Sequence, residues 1–245
     1  MKKTLCLLAA AALLLAAHSG FATEPKNDNV WSDQAELSFV NTTGNTETTS
    51  MSGKNRLSYR FLPRATGTWR IGGLYSSDGG VTTAEKYDTE LRLDYMYTEK
   101  AYTFAMAGWN KDRFAGIDQR YYGGGGAGYK FLLGPKHFLL GEAGLNYTQE
   151  NYTDNTSSGF LTGRAFGKYE YAITKKNRFS QSLEYLYDFS DSSHFKVNAE
   201  TAVIAGLTDT FSLKAAYTVR HDHKPVPADL ERTDTEATMA LVANF

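Results

Sequence analysis

Apolar and polar residues alternate along most of the chain, in segments of about ten residues each. Read in steps of two, one set of positions is apolar and the other is polar, which is typical of a β-strand with only one face in an apolar environment. No helical period and no change of composition interrupts the series. The pattern predicts about twelve strands, whose centres lie near Leu37, Leu57, Ile71, Leu91, Phe104, Gly125, Ala143, Ala165, Leu183, Ala199, Ala215 and Leu241.

The apolar positions of these segments contain no Asp, Glu, Lys or Arg, and their main polar members are Asn55 and Gln181. In the fifth segment, the residues that we expect on this face are Tyr102, Phe104 and Met106. The polar positions carry both signs of charge in similar numbers. We predict that the following charged side chains face the interior: Lys54, Arg56, Arg60, Asp88, Glu90, Arg92, Asp94, Arg120, Arg164, Lys168, Glu184, Glu200, Lys214 and Arg220.

Two kinds of barrel could produce this alternation: a soluble barrel with an apolar interior, or a membrane barrel with its apolar face toward lipid. A closed barrel of twelve strands has an interior too wide for apolar side chains to fill, whereas a polar interior can hold water or ion pairs. A Lys or Arg facing lipid at mid-depth would cost roughly 2–4 kcal/mol, so a charge-free face is what a bilayer requires. The pattern therefore favours a single antiparallel, up-and-down transmembrane β-barrel, with a soluble periplasmic barrel that binds an apolar ligand as the alternative.

The N-terminus predicts export. Lys2 and Lys3 precede an apolar run from Leu5 to Ala17, followed by small residues suited to cleavage, as in a secretory signal peptide. We predict a signal peptide over residues 1–22, a short periplasmic segment over 23–30 and the barrel over 31–245. Cleavage leaves 24 basic against 27 acidic residues, a formal charge of −3, and this balance argues against a nucleic-acid partner. The only cysteine, Cys6, leaves with the signal peptide.

Turn lengths and aromatic residues indicate an orientation. An even strand number puts both termini on the periplasmic side, with short turns there and longer loops outside. The long outer loops expected from the sequence are "SSDGGVTTAEK", "KDRFAGID", "TQENYTDNTSSG" and "HDHKPVPADLERTD". Aromatic pairs at segment ends, such as Tyr95 with Tyr97, suit the two membrane interfaces.

The stretch "YYGGGGAGYKF" contains a G-x-G-x-x-G pattern at Gly123, Gly125 and Gly128. A dinucleotide-binding turn needs a helix after its glycines, and here Gly134 and Pro135 follow without a helical period. We therefore interpret the run as a strand that is crossed by side chains of its neighbours or bent to close the barrel.

The segments "NTTGNTETTS", "AEKYDTELRLDYMYTEKAYTF" and "NKDRFAGIDQRYYGGGGAGY" resemble a bacterial family of unknown function labelled salt-induced outer membrane proteins. The similarity runs from about Trp31 to Phe245. The resemblance implies a barrel in the outer membrane of a Gram-negative bacterium, and it implies no catalytic residues. It also implies that the last strand, with Leu241, Ala243 and Phe245, is the signal recognised by the barrel assembly machinery, after escort by periplasmic chaperones.

Two functions remain open from the sequence. The first is a small, weakly selective or gated channel. The second is a closed structural barrel whose lumen is filled by salt bridges and whose outer loops contact lipopolysaccharide or partners. We expect no enzyme, cofactor or metal site, since "HDH" at 221–223 joins acid and base but offers only Ser192 or Ser193 as a distant nucleophile.

Overall fold

A computed structural model describes residues 30–42 and 48–245, which form a closed antiparallel barrel of twelve strands and confirm the predicted fold. The predicted signal peptide lies outside the described residues, as do 23–29 of the segment after it. Within the described part, no helix is long and apolar enough to cross a membrane. The strands are β1 Trp31–Thr42, β2 Thr48–Leu62, β3 Ala65–Asp78, β4 Val81–Met96, β5 Ala101–Asp112, β6 Ile117–Leu133, β7 His137–Tyr152, β8 Ser157–Ala172, β9 Asn177–Asp188, β10 Phe195–Gly206, β11 Phe211–Asp222 and β12 Thr233–Asn244.

The barrel closes where the first strand meets the last. The β1–β12 ladder runs from the Gln34–Asn244 pair to the Leu37–Leu241 pair, and Asp33 and Phe245 extend it by exchanging two backbone hydrogen bonds of 3.1 and 2.8 Å. Both ends of the described chain therefore lie at one end of the barrel. We call this the proximal end and the opposite one the distal end.

Side chains on alternate positions point to opposite sides of the wall. On β4, Leu91 and Leu93 are 62% and 55% exposed on the exterior, whereas Arg92 between them is 8% exposed and points inward. Large apolar side chains are exposed in the same way around the barrel, among them Leu37, Trp69, Ile71, Leu145, Leu183, Val203, Met239 and Leu241. A continuous apolar surface of this extent marks contact with a membrane or another protein, because soluble monomers rarely expose one.

The prediction for β5 is wrong. Tyr102, Phe104 and Met106 are only 4–8% exposed and face the interior, while the small residues Ala105 and Ala107 lie outside. The cause is the register of the β4–β5 hairpin. Arg92 pairs with Met106 and Asp94 with Phe104, so these residues share one side of the wall.

Among the described residues, charged side chains do occur on the exterior, but only near strand ends. Asp33 lies on the outward face of β1, where its Oδ1 accepts a hydrogen bond of 2.7 Å from Asn55. Glu85 and Lys111 occupy outward positions near the distal end, and they pair with Arg113 and Asp118. The charge-free face expected from the sequence therefore holds for the middle of the strands, where a bilayer would exclude charge most strongly.

Most of the predicted long loops are strand. The turn between β3 and β4 is only residues 79–80, and "TQENYTDNTSSG" forms the ends of β7 and β8 with a turn at 153–156. Strands of 14–17 residues, such as β3 and β6, are longer than the roughly 9–11 residues that cross a bilayer, so they extend beyond it. The long distal connection that remains is 223–232, between β11 and β12.

Candidate functional site in the barrel lumen

A cavity of about 900 Å³ lies inside the barrel. Glu90, Arg164 and Glu184, also predicted to face inward, lie beside it in ion pairs. Arg60 lies on the inward-facing side of β2, nearer the proximal end. The other predicted interior charges line the cavity itself: Lys54, Arg56, Asp88, Arg92, Asp94, Arg120, Lys168, Glu200, Lys214 and Arg220.

Glu142 of β7 is the centre of a side-chain network on one side of the lumen. Its carboxylate accepts hydrogen bonds from Arg92 Nη2 at 2.6 Å, from the Tyr102 hydroxyl at 2.7 Å and from Arg164 Nη1 at 2.7 Å. The Glu142 side chain is 3% exposed, so its charge needs these donors. Arg92 also binds Asp94, and Arg164 binds Glu184. We call these six residues the Glu142 network: Arg92, Asp94, Tyr102, Glu142, Arg164 and Glu184.

The Glu142 network lies against the inner surface of β5 and β6, where the glycines of β6 leave room for it. A Cβ atom at Gly128 would lie 2.2 Å from the Tyr102 ring, so the ring lies directly over this glycine. At Gly126, a Cβ would lie 2.1 Å from the backbone oxygen of Ala143. Close approach to a glycine strand was expected from the sequence, and Tyr102 over Gly128 confirms it.

The inward aromatic residues of β5 and β8 support the arginines of the network. The Arg92 guanidinium carbon lies 4.4 Å from the centroid of the Phe104 ring, and that of Arg164 lies 4.8 Å from Phe166. Arginine planes stack favourably on aromatic faces. The inward-facing rings of Phe104 and Phe166 therefore hold in place the arginines that bind Glu142.

A second buried acid lies nearer the distal end and was missed by the sequence analysis. Glu150 is 1% exposed and accepts hydrogen bonds from Arg120 at 2.5 Å, Lys196 at 2.8 Å and the Tyr152 hydroxyl at 2.7 Å. The sequence placed Glu150 in an outer loop, whereas β7 continues to Tyr152. Glu150 lies an even number of residues after the inward-facing Glu142, so it faces inward if the strand continues that far. This spacing is the feature of the sequence that could have identified it.

The connection 223–232 crosses the distal mouth of the lumen, and we call it the mouth segment. A Cβ at Gly116, in the β5–β6 turn, would lie 2.0 Å from the Val226 oxygen and 2.7 Å from Leu230 Cδ1. The β5–β6 and β11–β12 connections are on opposite sides of a twelve-stranded barrel. Their contact therefore requires the mouth segment to span the opening. Lys224 Nζ fixes it further to Asp191 at 2.5 Å.

The histidines and Ser193 near the distal end contact neighbouring side chains. The Ser193 hydroxyl donates to Asp191 at 2.7 Å, and His221 binds the Thr233 hydroxyl at 2.8 Å. His223 stacks on Phe195 with ring centroids 4.6 Å apart. His194 lies between two carboxylates, 3.1 Å from Asp188 and 3.5 Å from Asp222. In the described ranges, no three His, Cys, Asp or Glu side chains are grouped to hold a metal ion.

The fold is that of an outer-membrane β-barrel. The outer membrane channel of the COG4313 type from Pseudomonas putida F1 superposes with a TM-score of 0.55 at 12% identity, over 88% of this chain and 94% of that one. The translocator domain of the autotransporter NalP from Neisseria meningitidis gives a TM-score of 0.50 at 14% identity, over 90% of both chains. A channel and a translocator share this architecture, so the fold alone does not set the function.

The chain belongs to the family described as protein of unknown function, DUF481, whose model matches residues 35–245. It is also similar to the uncharacterized protein YdiY of Escherichia coli K12. The two are 29% identical over 198 residues, which cover 81% of this chain and 77% of YdiY.

Proposed function

We propose that this protein is a narrow, gated channel for small hydrophilic solutes in the outer membrane of a Gram-negative bacterium, with its proximal end in the periplasm. The observation that carries the proposal is the cavity of about 900 Å³ beside the Glu142 network. At about 30 Å³ per molecule this is space for roughly 30 waters. Its wall is mostly polar, so water and small solutes can occupy it.

Gating is assigned to two features that narrow the lumen. The Glu142 network fills the side of the lumen between β4 and β9, and the mouth segment crosses the distal opening. The mouth segment is held by an exposed ion pair, Lys224 with Asp191, and exposed pairs contribute little to stability. Its displacement would open the lumen without breaking any strand.

Planar-bilayer recording tests the proposal, with folding of each variant checked by heat-modifiable gel mobility. The wild type should give discrete conductance steps. Arg92→Ala removes a side chain that bridges strands across the lumen and should enlarge the steps. Arg113→Ala is the matched control, because Arg113 lies in the β5–β6 turn, pairs with Glu85 on the exterior and does not line the cavity.

The second candidate is a closed barrel whose distal loops contact lipopolysaccharide, and the fully buried Glu150 with its three donors favours it. A closed barrel predicts silent bilayers for the folded wild type, whereas folded Arg92→Ala should open a lumen that salt bridges fill. Conductance steps from the wild type would contradict it. In both candidates the exterior contacts outer-membrane lipid, and neither includes catalysis.

We also propose that the last strand directs assembly, with periplasmic chaperones delivering the chain to the barrel assembly machinery. Leu241 and Ala243 occupy outward positions of β12, and Phe245 is 60% exposed beside the closing seam. Deletion of Phe245 should reduce the amount of heat-modifiable protein in the outer membrane. Unchanged assembly would contradict this role.

A further inference from the structure

The charges that line the cavity are not evenly compensated. Six of its seven carboxylates, all except Asp88, form an ion pair with a described Lys or Arg. Among the described residues, Lys54, Lys130 and Arg178 line the same cavity without an ion pair shorter than 4.0 Å. Eleven Lys and Arg side chains line the cavity against seven carboxylates, although the whole chain has a formal charge of −1.

Lys130 and Arg178, two of the three described cavity cations without an ion pair, lie toward the proximal end, where further cations also line the lumen. Lys130 and Lys168 both pair in register with Leu140, from its two sides, so they are two strands or about 10 Å apart. Arg178 lies near the start of β9, and Arg56 projects from β2 on the other side of the lumen. We call Arg56, Lys130, Lys168 and Arg178 the proximal cation group.

A single carboxylate, Glu170, lies among these four cations. Lys168 Nζ binds it at 2.7 Å, and Arg178 and Arg56 are both within electrostatic range of it. Since β2 and β8 are on opposite sides of the barrel, Arg56 faces Glu170 across the lumen, which the Glu142 network narrows from one side. Other carboxylates of the proximal half are engaged elsewhere, Glu142 and Asp94 by Arg92, and Glu36 and Glu200 by Lys214.

A second, independent observation points to a missing partner. The Nε of Arg178 is buried and, within the part of the chain described, has no hydrogen-bond acceptor. An unsatisfied buried donor costs about 1–3 kcal/mol, more when the group is charged. Guanidinium groups bind oxyanions through paired, charge-assisted hydrogen bonds, so an oxyanion in the cavity would supply the acceptor once the Arg178 side chain turns its Nε toward the cavity that it lines.

We infer that the proximal cation group is a binding constriction for small solutes that carry an oxyanion, such as a carboxylate or a phosphate. The inference rests on the proposed channel function for its physiological meaning, because it names the class of solute that the channel passes. Narrow pores lined by one sign of charge favour ions of the opposite sign. The constriction therefore prefers anions over cations and acidic over neutral sugars.

Binding can be measured without any conductance. We choose isothermal titration of the refolded full-length barrel, in zwitterionic detergent, with D-glucuronate and with its neutral counterpart D-glucose. Glucuronate and inorganic phosphate should both bind, and glucose should not. Binding of phosphate alone would identify phosphate as the ligand source, whereas equal behaviour of glucuronate and glucose, with no binding of phosphate, would overturn the inference.

Variants connect the binding to the named side chains. Lys130→Gln with Arg178→Gln should abolish glucuronate binding, and Lys130→Gln alone covers the case in which the double variant fails to fold. Arg113→Gln is the control, because it removes one positive charge from a distal turn where Arg113 pairs with Glu85. If the control loses as much affinity as Lys130→Gln, the site is not in the proximal lumen.

Reversal potentials in a KCl gradient separate the two proposals. An anion-preferring wild type that loses its preference in the double variant supports both. A conducting wild type that prefers cations leaves the channel in place and overturns the anion constriction. A silent bilayer together with glucuronate binding that depends on Arg178 removes the channel and keeps the binding site.

Discussion

Neutralising Glu142 should weaken the barrel far more than neutralising an ordinary wall acid. Glu142→Gln keeps the size of the side chain but removes the charge that Arg92 and Arg164 share, at 2.6 and 2.7 Å, and gives Tyr102 a weaker acceptor. Removing one partner of a buried ion pair costs about 3–5 kcal/mol. Water in the adjacent cavity reduces this, so we expect a loss of about 2–4 kcal/mol in the free energy of unfolding.

The assay is urea unfolding in detergent, followed by tryptophan fluorescence and by heat-modifiable gel mobility. Glu236→Gln is the matched control, since Glu236 has one partner, Arg220, whose side chain is 30% exposed. Its loss should be about 0–1 kcal/mol, as for solvent-accessible ion pairs. If the two variants lose the same stability, or if Glu142→Gln loses less than about 1 kcal/mol, the Glu142 network does not tie β4 to β7.

Three further predictions concern the glycine strand, the distal histidine and the mouth segment. Gly126→Ala places a Cβ 2.1 Å from a backbone oxygen and should lower the free energy of unfolding in urea by about 1–3 kcal/mol. Gly123→Ala is the control and should lower it little, because the nearest neighbour of its Cβ lies at 3.9 Å. Equal losses of stability in the two variants would refute this packing. The Asp222 carboxylate raises the pKa of His194 above its ordinary 6.5, so the protonated ring stabilises the distal end below that pH and the stabilisation is lost as pH rises through the folded pKa. Histidine NMR titration should show this pKa falling in Asp222→Asn, and an unchanged value would contradict the assignment. Deleting 225–230 should raise the open probability in bilayers, and an unaltered probability would show that the mouth segment does not gate.

The sequence determined the architecture because a period of two repeated around the barrel leaves little choice. The positions of Leu91, Arg92 and Leu93 follow from alternation alone, and so do most interior charges. On β5 the rule failed, because apolar residues were assumed to face outward. The inward side chains of β5 are apolar because Phe104 stacks on the Arg92 guanidinium. The outward residues are small, so they do not mark the exterior face by their hydrophobicity.

The pairings inside the lumen could not be obtained from alternation. Arg92 and Glu142 are 50 residues apart and belong to strands that are not neighbours. Their contact depends on the barrel closing, on Gly128 leaving room for the Tyr102 ring, and on Gly124 and Gly126 allowing β6 to approach β7 closely. The register of the β4–β5 hairpin would have predicted the orientation of β5. Asp94 pairs with Phe104 and Met96 with Tyr102, so the residues of β5 opposite the inward residues of β4 also face inward.

Cysteine scanning tests the central claim most directly, because the sequence contains no cysteine after Cys6. Single cysteines at 88–95 of β4 and at 102–107 of β5 would be introduced into the full-length protein that carries Cys6→Ser, labelled with a polarity-sensitive fluorophore and reconstituted in lipid vesicles. The account predicts quenching by a lipid-soluble quencher at odd positions of both strands, and none at even positions. Quenching at 102, 104 and 106, or a loss of alternation along β4, would contradict an apolar exterior around a charged lumen.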